Sequence, residues 1–398
     1  MKSFFCRCGL LALLGWLGLA QPSRAQGRQP KPKAAPPGPY QAVDARMCQV
    51  PDSSARTAGG LARFIKASFA TEGDRARAAF VWVARNIRYD VENMYVLDLQ
   101  RKHPTTTQET LEKRRGVCQH YAELYGALAN QSGVLTYVVL GCTNLRDQAG
   151  HAWCASRIDG QWALLDPTWA AGRVENEKFT FHFADDFFRM APAVFITTHM
   201  PFDPLWQLLP APRTPQQFQQ GTRPAAPRVP FAFADSVTTY ARQSPEQQLR
   251  AATRRVEQNG VKNDLTYNYV LNSRQLESDR FVDAFNEVVE AYNAATTEFN
   301  TFAVFFSHQF LPHKTDEELR QLLNPLAADV AKARRLLATA HPVIPAQKAS
   351  LVAFQVSLQL LETKLRDGQA FVERYQHTTK ILRLMLFGNP AATGSLTR

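Results

Sequence analysis

Arg115-Gly116-Val117-Cys118-Gln119-His120-Tyr121-Ala122, Gly150-His151-Ala152-Trp153 and Trp162-Ala163-Leu164-Leu165-Asp166-Pro167-Thr168-Trp169 decide the fold of the first half of this chain. Beyond Cys118, the residues Tyr121, Ala122, Leu124, Tyr125 and Leu128 recur at helical spacing, and Gly133 stands where a helix C-terminal cap favours glycine. Cys118 is therefore predicted in the first turn of a helix entered through Gly116, whose missing side chain lets the chain turn tightly. The positive end of a helix dipole favours a thiolate over a thiol at such a place. Residues 134 to 141, 151 to 158 and 162 to 166 then read as short β-prone runs. Asp159-Gly160 between two of them is a hairpin signal. His151 opens one strand and Asp166 closes the next, so the two are expected side by side, facing the helix end.

A thiol, an imidazole and a carboxylate in that arrangement form a nucleophile, a base and the group that orients the base. Alone, Cys118 would read as a buried structural thiol and His151 as a satisfied strand histidine; three groups in local context reverse that reading. Trp153, Trp169 and His120 are candidate cleft residues, with packing the competing role for the tryptophans. The backbone N–H of Cys118 is a natural oxyanion donor. Tyr89 is a second candidate by position only, and the helical neighbours of Trp82 place it in the core. A zinc site from Cys142, His151, Cys154 and either Cys118 or His120 has the right ligand types. It lacks the paired C-x2-C or H-x3-H spacings, so no metal is expected, and no cofactor is implied.

These stretches, with Asn86-Ile87-Arg88-Tyr89-Asp90 upstream and Ile196-Thr197-Thr198-His199-Met200-Pro201 and Asp203-Pro204-Leu205-Trp206-Gln207-Leu208-Leu209 downstream, resemble the transglutaminase-like superfamily. The wider segment, residues 58 to 210, resembles its kyphoscoliosis-peptidase-type branch. The resemblance implies a papain-like α+β core, a cysteine-bearing helix on an antiparallel sheet, and acyl transfer through a thioester at Cys118. His120 departs from the Gly or Asp that is commoner two residues after the cysteine.

The flanking sequence sets the rest of the organisation. Residues 1–25 combine a basic start, an apolar run and Ser23-Arg24-Ala25, the pattern of a signal peptide. Residues 26–39 are a Pro-rich basic linker. A catalytic domain is expected over 40–210, a second Pro-rich linker over 211–232 and a helical bundle over 233–390. In the bundle, Phe281, Phe285, Val288, Tyr292, Ala295, Phe299, Phe302 and Phe306 alternate steps of four and three. Two later segments, from Leu319 and from Leu351, do the same, which predicts an antiparallel coiled-coil-like bundle. The apolar run at the amino terminus is too short to span a bilayer, and the mature chain is expected to lack a transmembrane segment.

The formal charge of +11 invites a nucleic-acid reading, but residues 1 to 39 hold six Lys or Arg and no acid, leaving 40 basic against 35 acidic residues elsewhere. With no basic stripe interleaved with aromatics, nucleic acid is excluded as an expected partner. Of six cysteines, Cys48, Cys118, Cys142 and Cys154 follow the signal, and an oxidising compartment would permit a bridge; Cys142 with Cys154 is the preferred pair.

The functional expectation is an exported, periplasmic or secreted thiol-dependent peptidase or amidase acting on protein or peptide amides. One alternative is a transglutaminase that cross-links proteins. Another is a non-catalytic scaffold that works through its helical domain, which could hold a protein partner or self-associate.

Overall fold

A computed structural model describes residues 38–94, 107–144, 149–225 and 228–397. The expected signal segment lies outside the described residues, as does most of the first Pro-rich linker. Thr57 Oγ1 accepts from the Gly60 N–H and Thr71 Oγ1 from the Asp74 N–H, both at 3.0 Å, satisfying first-turn donors that a helix cannot bond itself. These caps start α1 (Ala58–Ser68) and α2 (Glu72–Asn86). Helix α3 (Cys118–Gln131) follows and ends as expected, with Gly133 at φ +91. Residues 80 to 84 of α2 are all buried, because this helix is enclosed by α1, α3 and the sheet.

The chain then forms β1 (Thr136–Asn144), β2 (Ala149–Ile158) and β3 (Gln161–Leu165). Asp159 and Gly160 have φ of 52 and 76, the two positive angles of the turn whose twist suits a hairpin. A separate hairpin, β4 (Gly172–Glu175) with β5 (Lys178–Phe181), has no counterpart in the sequence reading. The short β6 (Met200–Pro201) completes a four-stranded antiparallel sheet in the order β3-β2-β1-β6. The fold is thus α+β, with the cysteine-bearing helix packed on an antiparallel sheet.

The preferred disulfide is corrected by the register. Cys154 pairs with Val138 and Cys142 with Gly150, at opposite ends of the β1–β2 run, and Cys48, Cys118, Cys142 and Cys154 are all free thiols. Cys154 Sγ bonds to the Ala122 carbonyl of α3 at 3.2 Å, whereas Cys142 is buried with Ile196 and Met200.

One face of the sheet supplies Ala152, Cys154, Ile158 and Leu165 to the core shared with α1, α2 and α3. The other presents Val139, Trp153, Ala155 and Leu164 to Phe195, Leu205 and Trp206. An apolar sheet face must be covered, and residues beyond the second Pro-rich stretch help to cover this one. From α4 (Phe233–Arg242), Val237 joins that cluster and Tyr240 meets Trp206 edge-on at 5.1 Å. From α5 (Pro245–Asn259), Arg255 clamps the buried Asp203 carboxylate at 2.8 and 2.6 Å. The segment read as the start of a bundle therefore packs first on the sheet.

The long helices are α6 (Asp264–Ser307), α7 (Asn324–Thr339) and α8 (Pro345–His377). Helix α6 begins well before Phe281, where the apolar period starts, because Asn263 caps it by accepting from Thr266 N at 2.9 Å. Phe285 meets Phe354 and Phe306 meets Phe371, so α6 and α8 run in the same direction. Helix α7 runs against both: Leu323 lies with Phe302 around Gly368, while Thr339 lies with Phe281. Among the described residues, no helix is long and apolar enough to cross a membrane.

Candidate active site

Cys118 is the first residue of α3 and is buried. The turn that presents it is closed by a side chain: His120 Nδ1 accepts the Val117 N–H at 3.0 Å. Burial lowers the pKa of His120, which keeps the ring neutral and able to accept. Gly116 is needed for a different reason from the tight turn expected of it. It lies in an extended pair, Tyr89 opposite Gly116, and a Cβ there would stand 2.6 Å from His120 Cβ. Glycine permits the capping ring to close over the chain.

Asp166 stands where β3 ends and accepts four hydrogen bonds. Oδ1 caps the short helix Pro167–Ala171, accepting from Thr168 N at 2.8 Å and Trp169 N at 3.1 Å. Oδ2 faces His151 Nε2 at 2.7 Å and His199 Nε2 at 3.2 Å. Burial disfavours this carboxylate, yet the two imidazoles outweigh it and hold Asp166 well below the usual carboxylate range.

Asp166 holds His151 by a hydrogen bond, and Cys118 lies close enough to act on the same ring. With Nε2 committed to Asp166, Nδ1 is the ring nitrogen left for the sulfur. Burial works against the charged ring, but Asp166 and Cys118 overcome it and push His151 up to about 10. The imidazole thus holds its proton through neutral pH, and a donor beside a nucleophilic sulfur can supply that proton to a departing amine.

The structure therefore brings Cys118, His151 and Asp166 together, with His151 hydrogen-bonded to Asp166 and acted on by Cys118. It adds His199, which sequence reasoning gave no role although its stretch was singled out. The His199 ring stacks on Phe195 with centroids 4.0 Å apart, and Thr198 Oγ1 lies 2.8 Å from Nδ1. Burial outweighs the pull of Asp166 and lowers its pKa, so the ring is neutral and its Nε2–H donates to Asp166. No spacing rule would have paired residue 199 with residue 166. His151, Asp166 and His199 are also close enough for one donor atom from each to share a metal ion. The two N–H donations to Oδ2 account for that closeness.

A cavity of about 500 Å³ opens beside His151. Trp169 lines it, with Tyr89, Phe179, Phe187 and Arg173. Of the other cleft candidates, Trp153 is fully buried against Phe195 and His199, and His120 is occupied with its cap; neither lines the cavity. Trp82 is a core residue beneath the Arg114 guanidinium. Of the two β-strand cysteines, Cys154 donates to the Ala122 carbonyl, and burial pushes the Cys142 thiol up to about 12.

The family model of the transglutaminase-like superfamily matches residues 59–167. This part of the chain is a transglutaminase-like domain. Kyphoscoliosis peptidase of Mus musculus is 33% identical over 157 residues, 37% of this chain and 23% of that protein. The Homo sapiens protein of the same name is 32% identical over 160 residues, 37% of this chain and 24% of that one. The chain thus spans about a quarter of the length of these curated relatives. A solved structure of a TGase aligns at 19% identity with a TM-score of 0.24, over 38% of this chain and 37% of that one. The match to the superfamily ends at 167, so the β4–β5 hairpin beside the transglutaminase-like site lies beyond it.

Proposed function

We propose that the protein is a thiol-dependent acyl-transfer enzyme, a cysteine peptidase or amidase that cleaves protein or peptide amides through a thioester at Cys118. The observation that carries this reading is the line from Cys118 to a His151 ring whose far nitrogen is fixed on buried Asp166. In the reaction the Cys118 sulfur attacks the carbonyl carbon, and the Cys118 N–H at the start of α3 is placed to donate to the oxygen that becomes negative. The C–N bond breaks as His151 passes its proton to the leaving amine. Water, deprotonated by His151, then attacks the thioester, and the carboxylic acid leaves as the sulfur is released.

The test is turnover of activated N-acyl amino acid esters and of fluorogenic peptide amides by the full-length protein. Turnover that disappears in Cys118→Ala and falls by a factor of about 1,000 or more in His151→Ala is expected. Turnover that persists in Cys118→Ala would sink the reading. An added primary amine distinguishes water from amine as the acyl acceptor.

Export is part of the same proposal and is supported by the residues of the amino terminus, a basic start, an apolar run and Ser23-Arg24-Ala25. Expression of the whole chain in a secreting host, followed by amino-terminal sequencing, should find a new terminus at or near Gln26. Retention of Met1 inside the cell would count against it.

A further inference from the structure

The cavity beside His151 is apolar in a way that the acyl-transfer line does not require. Its apolar walls include Tyr89 before the nucleophile helix, Trp169 after Asp166, Phe187, and Val174 and Phe179 of the β4–β5 hairpin. The rings brace one another, Tyr89 with Phe179 at 6.2 Å and Trp169 with Phe187 edge-on at 5.4 Å between centroids. Among the described residues no Asp or Glu lines it, whereas Arg173 and His182 do. A lysine ammonium would meet the Arg173 guanidinium, which is already paired with Glu175 at 2.9 Å; an aromatic or large aliphatic side chain would exchange water for ring faces.

The position of the cavity assigns the side of the scissile bond. His151 and Trp169 line it and Cys118 does not. The acyl carbon is held on the Cys118 sulfur, and the departing nitrogen takes its proton from His151, so the nitrogen-side part of the substrate lies on the histidine's side. We infer that this cavity is the subsite for the residue that supplies the amide nitrogen, and that it selects an aromatic or large aliphatic residue there and disfavours lysine. The hairpin beyond residue 167 forms its outer wall and sets that preference. This rests on the acyl-transfer reading and deepens it.

The same subsite governs the reverse step, in which an amine replaces water. An amine nitrogen bonds to the thioester carbon, the S–C bond breaks, and the proton shed by nitrogen passes through His151 to leave free amide and thiol. The experiment acylates the full-length protein with the p-nitrophenyl ester of N-acetylglycine and lets amines compete with water for the acyl group. Phenylalaninamide, leucinamide, glycinamide and Nα-acetyl-lysinamide are compared at equal concentrations of unprotonated amine, with the amides counted by mass spectrometry.

Phenylalaninamide is expected to capture the acyl group at least about tenfold better than glycinamide, the advantage that burial of an aromatic side chain supplies. That ratio should fall towards one both in Phe179→Ala, which removes a wall, and in Val174→Trp, which fills the space. Because the ratio is internal to each preparation, a poorly folded variant lowers both products alike. Equal capture of all four amines, preference for the lysine amine, or an unchanged ratio in both variants would overturn the inference and leave Cys118-dependent ester turnover standing. Ester turnover that is absent, or present in Cys118→Ala, would bring down the acyl-transfer reading and the subsite with it.

Discussion

At the scale of single residues, the site is organised around one carboxylate oxygen. Asp166 Oδ2 serves two imidazoles while Oδ1 caps a helix, so Asp166 orients His151 from a fixed place. A histidine raised to about 10 in the folded chain and near 6.5 when unfolded binds its proton more tightly in the fold. Its linked stabilisation is complete below about 6.5 and is lost as the pH rises through about 10. The catalytic counterpart is a kcat/KM profile whose alkaline limb falls near pH 10 and moves to lower pH in Asp166→Asn, because the carboxylate that raises His151 is gone; a pH–rate series checks both. His199→Phe leaves Oδ2 with one donor fewer inside the protein and should cost about 1 to 3 kcal/mol of stability, read from denaturant midpoints. Among the described residues, Thr168 Oγ1 and Trp153 Nε1 are buried with no hydrogen-bond partner.

At the scale of elements, Cys118 is held by the start of α3. Gly116→Ala would drive His120 away from the Val117 N–H, and the expected loss is about 1 to 3 kcal/mol, the usual cost of overpacking. His120→Gly removes both the cap and the Cβ that the new methyl would meet, so the double variant should be less destabilised than the sum of the two single ones, which a double-mutant cycle measures. Much of this was legible beforehand: the helix at Cys118, the Gly133 end and the Asp159-Gly160 turn follow from local conformational preference. The His120 cap was not legible, since it depends on a ring folding back against an extended glycine. Nor was β4–β5, because two strands of four residues each are too short for alternation to mark them in the sequence. The Cys142–Cys154 pairing failed because flanking a hairpin does not fix register, and a shift of register moves every facing pair.

At the scale of the whole molecule, the outer face of the sheet is completed by residues far along the chain. Arg255 from α5 holds the buried Asp203, and Phe202 stacks on Tyr269 of α6 with centroids 4.7 Å apart. Arg255→Ala strands a buried carboxylate and should cost about 3 kcal/mol, measured by chemical denaturation. Truncation after residue 232 removes Val237, Tyr240 and Arg255 together and is expected to lower the melting temperature of the remaining domain by about 10 °C or more. Truncation after residue 275 retains them and should leave it nearly unchanged. Equal melting temperatures for the two truncated chains would show that α4 and α5 contribute nothing to the sheet.

By itself the sequence determined the helix that carries Cys118, the strands that carry His151 and Asp166, and the long amphipathic helices of the second half. Those features rest on periodicity, turn chemistry and capping, which act over a few residues. Only the tertiary structure decided that His199 shares Asp166, that the free cysteines do not pair, that α4 and α5 cover the sheet, and that an aromatic-lined cavity stands beside His151. Each of these joins residues distant in sequence, and their proximity is created by burial of surfaces whose partners no local pattern names.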